Sequence, residues 1–258
     1  MEHMLKFEHV GMKYKTLTGY TEALIDVNFD VDDGEFVTIL GPSGCGKSTF
    51  LFIGTGLTKC TSGRAVLDGK EITKPVKEVG FVFQDHLLLE WRTVLDNIII
   101  QGEFRNQDLK ITREKAMELI RQVGLEGFEK KYPWELSGGM QQRVSICRAL
   151  VHEPKLLMMD EPYGALDALT REQMRVDLEK MWLDKKNTIL FVTHDIDEAI
   201  LLADKIVVLT PRPGQVKEII KIDLPRPRNM KVKESPAFLA YRKRVTEIFM
   251  EMGILHED

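Results

Sequence analysis

An α/β fold with a mostly parallel sheet and an all-helical insertion is what this sequence of 258 residues predicts. Three observations carry the prediction. Phe36–Leu40, Leu156–Met159 and Thr188–Val192 are short, continuous apolar runs, the composition of strands buried on both faces. Segments of helical periodicity lie between these runs, as crossover connections of a parallel sheet require. From about residue 93 to 150 the pattern is helical throughout, which marks an insertion.

In chain order, residues 5–10 and 23–31 alternate or cluster apolar side chains between turn signals and read as strands. Asp32-Asp33-Gly34-Glu35 turns the chain into Phe36–Leu40, and Phe50-Leu51-Phe52-Ile53 begins a helix. Arg64–Gly69 reads as a short strand and turn, and Val79–Phe83 as a buried strand ending at Gln84. Val94, Ile98 and Ile99 sit at helical spacing. Thr112 is expected to N-cap a helix bearing Ala116, Leu119, Ile120 and Val123, with Gly124 closing it. A third helix begins at Ser137 and carries Val144, Cys147 and Leu150.

Beyond Leu156–Met159, a helix over 169–186 places Met174, Leu178, Met181 and Trp182 on one face. After Thr188–Val192, Asp195 is expected to N-cap a helix with Glu198 closing a capping box. A strand over 205–209 follows. Pro211, Pro213 and Gly214, then Pro225 and Pro227, interrupt the chain. An amphipathic helix over about 236–252 carries Phe238, Val245, Ile248, Phe249 and Met252. The expected organisation is a domain over residues 1–224, with its helical insertion at about 86–150, and a tail over 225–258.

With 43% hydrophobic and 29% charged residues the composition is that of an ordinary globular chain, long enough for a substantial core. A net charge of −4 gives no field favouring nucleic acid. No apolar run reaches the length of about 18 residues that would span a membrane, and the N-terminus lacks a signal-peptide core. Cys45, Cys60 and Cys147 lack metal-ligand spacing, and their odd count argues against a disulfide framework.

The chemistry begins at Gly41-Pro42-Ser43-Gly44-Cys45-Gly46-Lys47-Ser48-Thr49, which fits the phosphate-cradling pattern G-x-x-x-x-G-K-[ST] between a strand and a helix. Backbone N–H groups and a helix N-terminus can hold a nucleoside triphosphate there. Lys47 would reach the β- and γ-phosphates, the Ser48 hydroxyl would sit on Mg²⁺, and Thr49 would meet the α-phosphate. Cys45, beside Lys47 and a helix N-terminus, is expected to have enhanced thiolate character, so that alkylation blocks ATP binding and ATP protects.

Leu156–Met159 ends in Asp160-Glu161, two acids at the mouth of a buried strand, which need a cation or a water network. Asp160 suits the Mg²⁺ shell and Glu161 suits polarising the attacking water. His194 ends the next apolar run, and ligands of parallel sheets bind at the carboxyl ends of strands. Gln84, just past another strand, could touch metal or water; it could equally be a surface glutamine. Leu136-Ser137-Gly138-Gly139-Met140-Gln141-Gln142-Arg143 is a second glycine-rich helix start able to hold an anion. One nucleotide could hardly fill both sites within a single subunit.

These segments, with Ala165-Leu166-Asp167 between Asp160-Glu161 and His194, resemble the ATP-binding subunit of an ABC transporter across nearly the whole chain. The resemblance implies a P-loop NTPase core with a mostly parallel sheet, an N-terminal antiparallel β subdomain and the helical insertion. It also implies ATP and Mg²⁺ as cofactors, with catalytic roles for Glu161, His194, Gln84 and Lys47, and Mg²⁺ contacts from Ser48, Gln84 and Asp160. Two copies would stack head to tail around two ATP. Ser137, Gly138, Gly139 and Gln141 would then meet the nucleotide bound by the partner's P-loop, Asp167 would couple the two sites, and Tyr14 would stack on adenine.

Residues 83–98, 160–171 and 192–199, with Arg212-Pro213-Gly214 and Leu224–Arg228, resemble importers of nitrate, sulfonates, taurine and related small molecules. Four positions depart from that group: Glu90 stands for Pro, Tyr163 for Phe, and Trp134-Glu135 for His-Gln. The resemblance implies a subunit at the cytoplasmic face of the cell membrane, working through a separate permease and an extracytoplasmic binding protein, without nucleic acid. Leu87, Leu88, Leu89 and Trp91 could form a groove for a permease helix, or a core helix. Two other readings are a soluble ABC-type ATPase acting on nucleic acid or ribosomes and a small-molecule P-loop kinase. The first usually needs two ATPase halves or a coiled coil, and the second leaves the Ser137 helix without a purpose.

Overall fold

The computed structural model describes residues 3–17 and 19–255. They form two compact units: one comprises the chain up to Val76 together with Thr188 onward, and the other runs Lys77–Asn187. Labels below follow chain order.

The first unit begins with two long strands, β1 (Leu5–Thr16) and β2 (Gly19–Val31), which are longer than the apolar pattern suggests. Their outer ends are exposed and so carry no apolar signal. With β4 (Ser62–Leu67) and β5 (Lys70–Glu71) they make an antiparallel sheet in the order β2-β1-β4-β5, the expected antiparallel subdomain. The buried strand β3 (Phe36–Leu40) lies between two strands made much later, β8 (Thr188–Thr193) and β9 (Lys205–Leu209), and is parallel to both. β10 (Val216–Lys221) adds antiparallel to β9. Every residue of β3 and β8 is buried, which is why these strands read as continuous apolar runs.

Helix α1 (Lys47–Gly54) follows β3, and Phe50 joins Phe7 and Phe29 in an aromatic cluster, with ring centroids 4.0–5.1 Å apart. That cluster fixes α1 on the antiparallel sheet. Helix α6 (Ile196–Leu202) is capped by Asp195, whose side chain accepts from the Glu198 N–H at 2.9 Å. The expected box is routed through Thr193: the Asp195 N–H donates to its Oγ1 at 3.0 Å, and its hydroxyl donates to Glu198 at 2.7 Å. The C-terminal helix α7 (Pro236–Glu251) buries Phe238, Val245, Ile248 and Phe249 in one cluster with Leu40, α6, β9 and Leu224. Arg228 is 1% exposed in the segment leading to α7. It donates to the carbonyls of Ile200, Leu201 and Ala203 at 2.9, 3.3 and 2.6 Å, and to those of Ile222 and Leu224 at 3.4 and 3.0 Å. These include the orphan carbonyls at the end of α6.

The second unit pairs β6 (Val79–Val82) with β7 (Leu156–Asp160) in parallel. Between them lie α2 (Val94–Phe104), α3 (Leu109–Gln122) and α4 (Gly138–Leu150), packed on a shared cluster that includes Ile98, Leu119, Ile120, Val144 and Cys147. Helix α5 (Ala168–Lys185) then presents Met174, Leu178 and Trp182 to the interior. The expected cap of α3 at Thr112 is wrong. Asp108 caps it, accepting from Lys110 and Ile111, and Thr112 is a buried residue of the first turn whose hydroxyl donates to the Asp108 carbonyl at 2.9 Å. Gly124, with φ 67°, is the left-handed residue that ends α3.

Candidate nucleotide site

In the first unit, the loop 41–46 joins the buried end of β3 to α1. Gly46 caps α1 with φ 105°, and a Cβ there would meet Leu24 Cδ2 at 2.8 Å and the Ala23 carbonyl at 2.9 Å. Gly44 also has a positive φ, and a Cβ on it would meet nothing within 4 Å. The loop is therefore tight on its inner side and open on its outer side, so its backbone can approach a phosphate chain. Lys47, 5% exposed, donates to the carbonyls of Gly41 and Pro42 at 2.8 and 2.9 Å and lies folded over the loop. Ser43 and Ser48 are exposed at the loop and the first turn of α1. Tyr14 hydroxyl lies 3.1 Å from Thr49 Oγ1, which ties the expected adenine platform to the end of the phosphate loop. His194 is exposed immediately after β8, whose residues pair with those of β3 up to Leu40↔Thr193.

One residue of this half was given no site role from the sequence. A Cβ on Gly214 would stand 2.2 Å from the Cys45 carbonyl, and its backbone is bonded to Ala23 and Ile25. Gly214 thus packs directly on the phosphate loop, a contact that its place after two prolines does not announce.

Cys45 is fully buried, and a Cβ on Gly41 would lie 2.9 Å from its sulfur. This shielding stands against the expected alkylation of Cys45 in the native cradle. Cys147 is also fully buried, and burial pushes its thiol up to about 12. Iodoacetamide on the native protein is expected to modify Cys60 first, with Cys45 and Cys147 reacting only after unfolding; peptide mass spectrometry checks it. Equal native labelling of Cys45 and Cys60 would contradict the burial described.

In the second unit, β7 ends in Asp160, 7% exposed, followed by Glu161 at φ 40°. A non-glycine residue in this left-handed region is strained. The following turn is closed by Gly164 N–H to the Glu161 carbonyl at 3.1 Å and Leu166 N–H to the Tyr163 carbonyl at 3.1 Å. A Cβ on Gly164 would stand 3.7 Å from Gln84 Nε2, so the Gln84 amide lies beside the turn carrying Glu161. The departure at Tyr163 has a use: the residue is 1% exposed, and its hydroxyl donates to the Met174 carbonyl at 3.3 Å.

Ser137 caps α4, accepting from the Met140 N–H at 3.4 Å. A Cβ on Gly139 would lie 2.6 Å from Thr170 Cγ2. Thr170 in turn donates its N–H to Asp167, the cap of α5, at 3.1 Å. Asp167, Thr170 and Gly139 are therefore in series, and hydrogen bonding from Thr170 holds the Asp167 carboxyl below its ordinary value. Gln141 turns its amide to its own chain, donating to the carbonyls of Pro133 and Leu136 at 3.0 and 3.4 Å.

Beyond Gln84, the chain is shaped by residues the motif reading missed. Asn97 is fully buried and clips the segment 89–93, accepting from the Leu89 N–H at 2.7 Å and donating to Leu89, Arg92 and Thr93 carbonyls. Arg148 donates to the carbonyls of His86 and Leu87 at 2.8 and 2.6 Å. A groove of about 320 Å³ results, lined by Phe81, Phe83, Leu87, Leu89, Phe104 and His152 among others. Leu88 packs on the helical cluster instead, and Trp91 is 74% exposed. Desolvation, then the Arg105 charge, lowers His152 to about 4, so it is neutral at pH 7 and accepts from Arg105 at 3.0 Å.

A phosphate loop between a buried parallel strand and a helix, in a chain that also carries an acid-terminated strand and a glycine-started helix, defines a P-loop nucleoside triphosphatase. The family model for ABC transporters matches residues 24–164. An uncharacterized ABC transporter ATP-binding protein of Methanocaldococcus jannaschii is 46% identical, over 97% of this chain and 93% of its own length. The aliphatic sulfonates import ATP-binding protein SsuB of Bacillus cereus is 44% identical, over 97% of this chain and 98% of its own. Among solved structures, a dimeric bacterial ABC transporter cassette superposes with TM-score 0.77 at 35% identity, over 86% of this chain and 100% of that one. A post-hydrolysis dimer of that cassette, bound to ADP and phosphate, gives 0.76. The chain belongs to the ABC transporter family, as its ATP-binding and ATP-hydrolysing subunit.

Proposed function

We propose that this subunit drives import of a small molecule of the nitrate, sulfonate or taurine kind through a separate membrane permease, by ATP-driven closure of two copies. The observation that carries the reading is the pair of glycine-started helices in one chain, α1 at the phosphate loop and α4 at Ser137. Each offers an anion site, and a pair of copies uses both. Relatives named as sulfonate-import subunits support the substrate class, and dimeric cassettes among the solved relatives support the pairing. In this reading the loop 41–49 holds the triphosphate, Tyr14 stacks on the base, and Ser48, Gln84 and Asp160 hold Mg²⁺, which neutralises phosphate charge. Glu161 orients the attacking water, with His194 and Gln84 attending it. Ser137, Gly138 and Gly139 meet the γ-phosphate of the second copy's ATP. Gln141 steadies the turn before them, and Asp167 links the two sites through Thr170.

The domain is taken to run over 1–224, with the tail 225–258 completing its core through α7. Among the described residues no helix is long and apolar enough to cross a membrane, so attachment to the cytoplasmic face is assigned to the permease. The groove beside Leu87 and Leu89 suits an apolar helix from that partner; an extracytoplasmic binding protein would deliver the substrate. In vesicles carrying a co-expressed sulfonate-class permease, ATPase activity is expected to rise several-fold, whereas DNA or ribosomes leave it unchanged. Strong stimulation by DNA or ribosomes, with none by the permease, would overturn the reading in favour of a soluble ABC-type ATPase.

A further inference from the structure

The 77–187 unit carries an aromatic pair to which the reading above gives no task. Tyr132 and Trp134 are stacked, with ring centroids 4.6 Å and planes 3° apart, yet they remain 37% and 63% exposed. The turn that carries the pair is tied down by hydrogen bonds. Glu135 accepts from the Tyr132 N–H and the Lys131 ammonium, each at 2.8 Å. From the first turn of α4, Gln141 donates to Pro133 and Leu136 carbonyls on either side of Trp134. The short 3₁₀ turn Pro133–Glu135 is thus an extension of the start of α4. Trp134 precedes Ser137 by three residues, at most about 10 Å of chain. A surface that closes on Ser137, Gly138 and Gly139 therefore comes within reach of the indole.

We propose that Trp134, backed by Tyr132, is a nucleotide contact of the ATP-bound pair, its open face lying against the base or sugar of the ATP held by the second copy's phosphate loop. The proposal rests on the pairing in the reading above. A nucleotide bound there brings a flat aromatic group of about the indole's size, and an exposed π-face is the surface that stacks on it whatever the base. Tyr14 of the second copy covers one face of that base in the same reading, and Trp134 meets the end of the nucleotide from the opposite copy. The proposal gives the departure from His-Gln at Trp134-Glu135 a consequence: the aromatic surface adds to ATP-dependent pairing while leaving ATP capture by one copy alone unaltered.

The test uses the Glu161→Gln background, in which hydrolysis does not dissolve the pair. Sizing chromatography across an ATP series gives the concentration for half-maximal pairing. Trp134→Ala is expected to raise it roughly tenfold, the order of one lost aromatic–base stack, while Trp134→Phe, which keeps a ring, stays near the parent. Binding of a fluorescent ATP analogue to dilute monomer is expected to be equal in all three. A second readout leaves Trp134 in place. In a Trp91→Phe variant it is the exposed tryptophan, since Trp182 is 4% exposed, and acrylamide quenching should fall when ATP pairs the copies. Unchanged pairing by Trp134→Ala, or unchanged quenching on pairing, would overturn the proposal while leaving the dimer reading intact. A Glu161→Gln parent that stays monomeric at saturating ATP sinks both.

Discussion

Glu161→Gln is expected to lower ATP hydrolysis by at least about 100-fold, the range of a lost general base or water-orienting carboxylate, while ATP binding persists. The residue follows the last residue of β7 with φ 40°, beside the Gln84 amide. Glutamine has the same shape and the same left-handed strain, so the substitution removes charge and basicity without altering what the turn must sustain. Steady-state phosphate release measures the loss. Sizing chromatography in Mg-ATP is expected to move the variant to the mass of two chains, and removal of ATP to return it to one. Hydrolysis at the wild-type rate would mean that another group orients the water. Glu161→Ala, which also shortens the side chain, is expected to lose hydrolysis equally.

The second large effect concerns stability and lies far along the chain from the phosphate loop. Arg228→Met keeps a stem of similar length but removes a buried guanidinium shared among carbonyls of Ile200, Leu201, Ala203, Ile222 and Leu224. Buried carbonyls left without donors cost about 1–3 kcal/mol each where water cannot replace the donor. Some relaxation is expected, so the net loss is placed at about 3–5 kcal/mol, comparable to breaking a buried charged network. For a chain of this size that corresponds to a fall in Tm of roughly 10 °C. Arg228→Lys, with three donors and a point charge, should recover part of it. Differential scanning calorimetry of the three proteins decides, and a Met variant melting with wild type would show the carbonyls to be satisfied otherwise.

Arg228 also marks where the sequence stops being readable. Leu224-Pro225-Arg226-Pro227-Arg228 has the composition of an exposed boundary, and the carbonyl partners of Arg228 at the end of α6 lie 25 to 28 residues earlier. No local pattern encodes that meeting. The central strands were legible for the opposite reason: burial on both faces leaves a continuous apolar run, as in β3, β7 and β8. The phosphate loop was legible because its backbone geometry demands glycine at fixed spacing. Burial of Cys45 was hidden, because it depends on how Gly41 packs on its sulfur and Gly214 on its carbonyl. The cap of α3 was misplaced because Leu109 and Ile111, 49% and 51% exposed, belong to a first turn that faces outward. The apolar stripe begins only after that turn, and Thr112, itself a good capping type, stands where the stripe begins. Gly139 against Thr170 is likewise a contact between elements, visible only once α4 and α5 are packed.

The first unit is assembled from both ends of the chain, with residues 77–187 made in between. Its strand β3 pairs as Phe36↔Ile189 and Val37↔Lys205, with partners that emerge from the ribosome about 150 residues later. At 5–20 residues per second, synthesis leaves this apolar strand with both edges open for roughly 10–30 s. The antiparallel strands β1, β2 and β4 can pair during that interval, and the second unit is contiguous and can close as soon as it is made. The phosphate-loop strand waits for both. Whatever covers β3 on the nascent chain must act during this interval, and slower elongation before Thr188 lengthens the exposure.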